Sequence, residues 1–420
     1  MTAPTSGDLA VAYLVSQYPA LSHTFIEREI VGLRAQGVRV LTVSVRRPDP
    51  AQLRTQLMRE EADATVVLQA DVPAALRSNA AAVRRAPRAF AAASARALRS
   101  GEARPASRCR QLAYLAEASV LLDQLRAHRI RHVHAHFANN GADIARLAVA
   151  LGNAEEGEGV YTWSFTMHGP TEFEAVERFD LAGKVRDAAR VACISDFTRS
   201  QLMRLVGTQD WDKLDIVRMT VETDRFVPPT GASRAAEGPF RILSVGRLVP
   251  EKGAPVLIDA IARLVERGVD AHARLVGGGE LEPVLRAEIG RRGLTDRVTL
   301  VGPVGQDDIL AEYHGADVFC LPSFQEGLPV VLMEAMATGL PVVTTTIAGI
   351  GDLVTDRVTG RLVAPGRADL LADALAELAA DPARRAAWGA AGRDAVVTEF
   401  GVETNAVRMR DFLARAGAAR

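Results

Sequence analysis

Short, continuously apolar runs alternate with stretches of helical period along almost the whole chain. LAVAYLV (9–15), VRVLTVSV (38–45), VHAHF (133–137), YTWSFTM (161–167), RVACIS (190–195) and LDIVRM (214–219) read as strands. SHTFIEREIVGLRAQG (22–37) and FTRSQLMRLVG (197–207) read as helices between them. A strand that is apolar on nearly every residue is buried on both faces, as in a parallel sheet covered by helices. The alternation therefore predicts a doubly wound α/β domain.

The pattern breaks once, at VPPTGASRAAEGPF (227–240), which is rich in Pro, Gly, Ala and Ser and reads as a linker. A second series follows: RILSVGRL (241–248), HARLVGGG (272–279), RVTLVG (297–302), ADVFCLPS (316–323) and LPVVTTT (340–346). The expected organisation is a first Rossmann-like domain over 1–226, a linker over 227–239 and a second Rossmann-like domain over 240–395. A C-terminal helix over 396–420 is expected to pack back on the first domain. Sheets of this kind bind ligands outside the carboxyl ends of their strands, and two domains offer a cleft between them.

Composition narrows the function classes. The chain has 420 residues with 50 Lys and Arg against 51 Asp and Glu, so it has no basic excess that would favour general nucleic-acid binding. Its three cysteines, Cys109, Cys193 and Cys320, are far apart, which fits a reducing compartment better than a disulfide framework. The N-terminus reads as lacking a signal peptide, and no apolar run has the length of a membrane span. A cytoplasmic protein is expected, peripheral at most. Residues 77–110 hold nine arginines against one acid, Glu102. They read either as a solvated helical face or as a surface for anionic lipid or a lipid-diphosphate acceptor.

The chemistry concentrates at three strand ends of the second series. SFQEGLPVVLMEAMATGLPVVTTT (323–346) places Glu326 on a turn and Glu334 inside the following helix, with Gly327 and Pro329 between them and Pro329 suited to the first helical position. At about 100° per residue, an offset of eight brings the two acids within roughly 80° of one another, so both can approach one side of the turn. An acid among Met333, Ala335 and Met336 is costly unless paired or bonded to ligand hydroxyls, and a ribose diol is a sensible partner. The helix N-terminus offers N–H groups to an anion. SVGRLVPEKG carries Gly246, Arg247 and Lys252 at another strand end, cations that suit a diphosphate. LVGGGE adds Gly278 and Glu280, where a glycine run suggests close approach to a ligand.

GRLVPEKG, LVGGGE and the Glu326–Glu334 segment together resemble the nucleotide-sugar half of the retaining glycosyltransferases of family 4, which have the GT-B fold. The resemblance implies two Rossmann-like domains facing a central cleft. It implies that Arg247 and Lys252 neutralise the departing diphosphate, that Glu326 faces the donor sugar, that Gly327 and Leu328 offer backbone N–H groups, and that Glu334 holds the ribose. SFTMHGPTEF (164–173) resembles the family segment with a functional histidine, here His168. YPALSHTFIEREI (18–30) resembles the first loop of an exopolysaccharide and colanic-acid subgroup and puts Ser22, His23 and Thr24 on the acceptor side.

The reading implied is a retaining transfer of sugar from a nucleotide-sugar to a glycan, lipid-linked or small hydroxyl acceptor, with no metal or other cofactor. The alternatives are a sugar-nucleotide epimerase, a sugar-phosphate-acceptor synthase, or an inactive assembly scaffold. His132, His134 and His136 share one strand face and read as a polar structural face rather than a metal site, because no carboxylate clearly converges on them. Asp210-Trp211-Asp212 reads as a loop feature.

Overall fold

A computed structural model of the chain describes residues 9–20, 23–53, 55–69, 72–230 and 238–418. It divides into two compact units, Met1–Arg218 with Asn405–Arg420, and Met219–Thr404.

The first unit is built on β1 (Ala10–Gln17), β2 (Arg39–Arg46), β3 (Val66–Val67), β4 (His132–His136), β5 (Thr162–Met167), β6 (Arg190–Cys193) and β7 (Leu214–Ile216). They form one parallel sheet in the order β3-β2-β1-β4-β5-β6-β7. Chain direction across the sheet reverses between β1 and β4, and that crevice is where such sheets bind ligands. One face is packed by helices Pro105–Ala127 and Asn140–Glu156, through Leu121, Leu122, Ile144 and Leu151. On the other face Ile26, Ile30 and Leu33 of helix Thr24–Ala35 meet Met409, Phe412 and Leu413 near the C-terminus. The stretch 396–420, expected as one helix, is two: Pro382–Phe400 and Val402–Ala418, broken at Gly401.

The second unit holds β8 (Phe240–Val245), β9 (Ala271–Val276), β10 (Val298–Gly302), β11 (Val318–Leu321), β12 (Val342–Thr345) and β13 (Gly360–Val363). Their order is β10-β9-β8-β11-β12-β13, all parallel, so the topological switch falls between β8 and β11. Residues 219–226, assigned by sequence to the first domain, pack in this unit. The Val221 N–H donates to the Phe400 carbonyl at 3.0 Å, and the Phe226 ring lies 5.9 Å from that of Tyr313. Much of the expected linker, 231–237, lies outside the described residues.

The arginine-rich stretch forms helices Val72–Arg85 and Pro87–Arg99 and the start of Pro105–Ala127, with Pro87 and Pro105 each in a first turn. There a missing N–H removes no helical bond. No helix among the described residues is long and apolar enough to cross a membrane.

Candidate functional site

In the second unit the predicted residues gather on both sides of the β8/β11 switch point. After β8 the chain runs through Gly246 and Arg247 to a 3-10 turn, Pro250–Lys252, and Gly253 starts helix Ala254–Glu266. After β11 it runs through Ser323 and Glu326 to helix Val330–Ala337, with Pro329 as N-cap rather than first helical residue. The two loops are locked together. The Phe324 N–H donates to the Glu251 carbonyl at 2.8 Å, and a Cβ on Gly253 would lie 2.1 Å from the Pro322 carbonyl oxygen. Gly253 also has φ +67°, a conformation that favours glycine.

This locking brings Lys252 Nζ to 2.6 Å from Glu326 Oε1. Ser323 Oγ donates to the same oxygen at 2.7 Å, and the Ser323 carbonyl is held by Thr345 Oγ1 at 2.7 Å. Glu326 is buried, while Arg247 is exposed and has no ion-pair partner among the described residues. Gly246, Arg247, Lys252, Leu275 and Leu321 line a small pocket at this point. The first N–H groups of helix Val330–Ala337 have no carbonyl a turn earlier to bond, so this end of the helix favours negative charge.

Glu334 is buried and accepts a bond from the Tyr313 hydroxyl at 3.0 Å. That phenol comes from helix Ile309–His314. Tyr313 gave no sign in the sequence, where it reads as one more core aromatic. The glycine run has a reason other than a ligand. A Cβ on Gly277 would fall 2.0 Å from the Gly246 carbonyl oxygen, and one on Gly279 would fall 2.4 Å from that of Leu248. These glycines let two strand-end loops touch. Gly278 faces Pro303, and Glu280 is exposed. Gly327 is half-buried and Leu328 is buried.

In the first unit the carboxyl ends of β1, β4 and β5 bring His23, Phe137 and His168 together. Phe137 has φ +69°, an outlier for a bulky residue, and its N–H donates to the Thr166 carbonyl at 3.0 Å. Its ring centroid lies 4.6 Å from that of His168 and 5.4 Å from that of His23. His23 Nδ1 lies 3.2 Å from the Gln17 carbonyl oxygen, and burial lowers its pKa. Thr24 begins helix Thr24–Ala35, and Ser22 lies outside the described residues.

Beneath this end, His132, His134 and His136 form a buried ladder with the facing strand. His132 contacts Thr162 Oγ1 and Ser164 Oγ, each at 2.8 Å. His134 contacts Ser164 Oγ at 2.8 Å and Thr166 Oγ1 at 2.9 Å. His136 Nδ1 contacts His168 Nε2 at 2.9 Å, so His168 is the last rung. A carboxylate does converge here, contrary to expectation: Glu29 Oε1 is 3.3 Å from His136 Nε2. Glu29, His134 and His136 are near enough to share a cation, but His134 already spends both ring nitrogens on hydroxyls.

Farther back, Lys184 is fully buried, donates to the Ala138 carbonyl at 2.7 Å and lies 3.1 Å from Asp143. Burial lowers the Lys184 pKa and raises that of Asp143, and the pair holds the loop after β4. The Asp210-Trp211-Asp212 stretch is structural, with Asp210 3.0 Å from Lys213.

Residues 231–395 match the model of a family described as glycosyl transferases group 1. The second unit belongs to the group 1 glycosyltransferases. Among curated relatives, this chain is 34% identical over 243 residues to a GDP-mannose-dependent alpha-(1-6)-phosphatidylinositol monomannoside mannosyltransferase of Mycobacterium tuberculosis, covering 55% of this chain and 63% of that one. It is 39% identical over 189 residues to a putative colanic acid biosynthesis glycosyltransferase, WcaL, of Escherichia coli, covering 44% and 46%. These matches span from under half to under two thirds of the relatives' lengths. Among solved structures, Anabaena HepE in complex with UDP-glucose superposes with a TM-score of 0.69 at 18% identity, over 96% of this chain and 98% of that one. At that identity the likeness is one of fold: two Rossmann-like units of the GT-B type.

Proposed function

We propose that the protein is a retaining glycosyltransferase, moving a sugar from a nucleotide-sugar to a hydroxyl of a glycan or lipid-linked acceptor during polysaccharide or glycolipid assembly. The observation that carries this reading is the Lys252–Glu326–Ser323 arrangement at the switch point of the second sheet, beside Arg247 and a helix N-terminus. The names of the relatives support the class of reaction. One uses GDP-mannose and another was solved with UDP-glucose, which supports a nucleotide-sugar donor without choosing its base.

In this reading the bond between the anomeric carbon and the donor's diphosphate oxygen breaks, and negative charge develops on the departing nucleoside diphosphate. Arg247, Lys252 and the N–H groups of Gly327 and Leu328 offset that charge. Lys252 has three donors, so it can keep Glu326 in place while it meets a phosphate. Glu326 accepts from donor sugar hydroxyls, and Glu334 accepts from the ribose. Gly246, Gly278 and Glu280 shape the donor side. His23, Thr24 and His168 belong to the acceptor side. The acceptor oxygen attacks the same face of the sugar, and its proton passes to the departing phosphate oxygen.

Product analysis with a panel of nucleotide-sugars and polyprenyl-linked or free saccharide acceptors tests the proposal. Nucleoside diphosphate should appear only with an acceptor, and an α-linked donor should give an α-linked product by NMR. An epimerised donor formed without acceptor would instead support the epimerase reading. Because Arg247 and Lys252 are proposed to supply the positive charge, excess EDTA should leave the rate within about twofold. A rate abolished by EDTA and restored by a divalent cation would remove that assignment.

Peripheral membrane contact is part of the proposal. Val72 and Leu76 are each 67% exposed on helix Val72–Arg85, Val83 lies on the same side, and Arg84 and Arg88 are exposed nearby. Each basic residue near an anionic surface contributes about 1 kcal/mol. The double variant Arg84→Glu/Arg88→Glu should therefore bind phosphatidylglycerol-containing vesicles at least about tenfold more weakly in flotation assays. Equal binding by variant and wild type would leave this segment as a solvated face.

A further inference from the structure

The hydrogen-bonded ladder of the first unit ends on an asymmetry. His132 and His134 each satisfy both ring nitrogens with hydroxyls of β5. His136 does not: its Nδ1 meets His168 Nε2 at 2.9 Å, and its Nε2 faces Glu29 Oε1 at 3.3 Å without hydrogen-bond geometry. Glu29 is itself fixed, because the Tyr13 hydroxyl donates to its Oε1 at 2.7 Å. At the other end, His168 Nδ1 is buried and meets no protein donor or acceptor among the described residues. All four residues sit at or below the carboxyl ends of β1, β4 and β5 or on the helix that follows β1.

For a neutral His136, charge and lone pairs choose between two arrangements. If His136 carried its proton on Nδ1, its Nε2 lone pair would face the Glu29 oxygen, and two acceptors 3.3 Å apart repel. With the proton on Nε2, the polar N–H lies beside the carboxylate and is attracted to its charge, short of a formed hydrogen bond, and the Nδ1 lone pair turns to His168. A neutral imidazole has one donor and one acceptor. His168 must then donate from Nε2, which leaves Nδ1 a bare acceptor.

We propose that Glu29 and His136 are positioning residues that hold His168 as the Nε2–H tautomer and present its Nδ1 lone pair to a substrate hydroxyl. The presentation to substrate rests on the reading of His168 as an acceptor-side residue; the tautomer itself does not. The rings of Phe25 and Phe137, at 4.8 and 4.6 Å, fix the plane of His168. A sugar hydroxyl has the donor that Nδ1 lacks, and a buried acceptor left unmet is costly.

The test is long-range 1H–15N correlation on the full chain labelled with 15N-histidine at pH 7.5, with His168 assigned from the signals lost in His168→Asn. The wild type is expected to show His168 with an unprotonated Nδ1 and a protonated Nε2. Glu29→Leu removes the acceptor and should give a mixture of tautomers, and Glu29→Gln, of nearly unchanged shape, a smaller shift in the same direction. In parallel, Glu29→Leu should lower kcat by roughly 10- to 100-fold, the range for groups that orient an imidazole, with the donor KM unchanged. A wild-type His168 protonated on Nδ1 would overturn the proposal whether or not the variants fold. So would a tautomer unmoved in both variants. The expected tautomer in a protein that transfers no sugar would keep the relay and reject the transferase reading.

Discussion

Lys252→Ala is expected to lower kcat by about 10²- to 10³-fold, the size of effect seen when one preorganised group that meets developing charge is removed. The same substitution strips the buried Glu326 of its cation, 2.6 Å away, and leaves Ser323 Oγ as its remaining partner among the described residues. Removing one half of a buried pair destabilises by up to about 3–5 kcal/mol. The Lys252 side chain is 22% exposed, which lets water reach the site and puts the expected loss below that range. Activity and stability can be separated. Lys252→Ala/Glu326→Gln removes the orphaned charge, so the melting temperature should recover while kcat stays low. Lys252→Arg should keep more activity than Lys252→Ala, because a cation remains, though its planar fork fits a lysine site poorly. A Lys252→Ala enzyme within about threefold of wild type would reduce the pair to a brace between two loops, the role that Gly253 and the Phe324–Glu251 bond already fill.

The second large effect is acid lability of the first unit. Burial lowers the His132 pKa to about 3 and holds those of His134 and His168 well below the ordinary imidazole value. In the unfolded chain all three take up a proton near pH 6.5. The native state therefore binds fewer protons than the unfolded state below that pH. Stability is fully present above 6.5 and falls as the pH drops toward the folded values. Each histidine contributes about 1.4 kcal/mol per pH unit in that window, or about 4 kcal/mol per unit for three. Against a typical total of about 5–15 kcal/mol, the first unit should unfold between roughly pH 5 and 3. Tryptophan fluorescence reports this directly, since Trp163 is buried on β5. His132→Gln should flatten the slope by about 1.4 kcal/mol per unit and keep the hydroxyl contacts. A slope equal to that of the wild type would mean that His132 is not buried as a neutral ring.

The sequence carried the architecture because parallel strands covered on both faces are apolar without interruption. β3 and β13 escaped for physical reasons. β3 is two residues, Val66 and Val67, and β13 contains Gly360 and Arg361, so neither has a run to read. In the second unit Arg247, Lys252, Glu326 and Glu334 stood out in the sequence because charge in a small-residue or apolar context needs a reason. The Tyr313 contact of Glu334 did not, because Tyr313 is indistinguishable from core until its hydroxyl is located. The glycine run was read as close backbone approach to a ligand; the sequence did not show that Gly277 and Gly279 also meet the neighbouring loop's backbone. The Glu29–His136–His168 contact was beyond reach for a different reason. Glu29 lies on the helix after β1, and only the adjacency of β1, β4 and β5 brings it to the histidines.

The most direct test of the donor site is calorimetric titration of UDP, GDP, ADP and dTDP into the wild type and into Glu334→Gln. The substitution keeps an acceptor for Tyr313 and removes the charge proposed to hold the ribose. One nucleotide should bind clearly better than the other three, and Glu334→Gln should weaken it about 10- to 100-fold, the worth of a hydrogen bond to a charged group. A folded wild-type protein that binds none of the four would contradict the account.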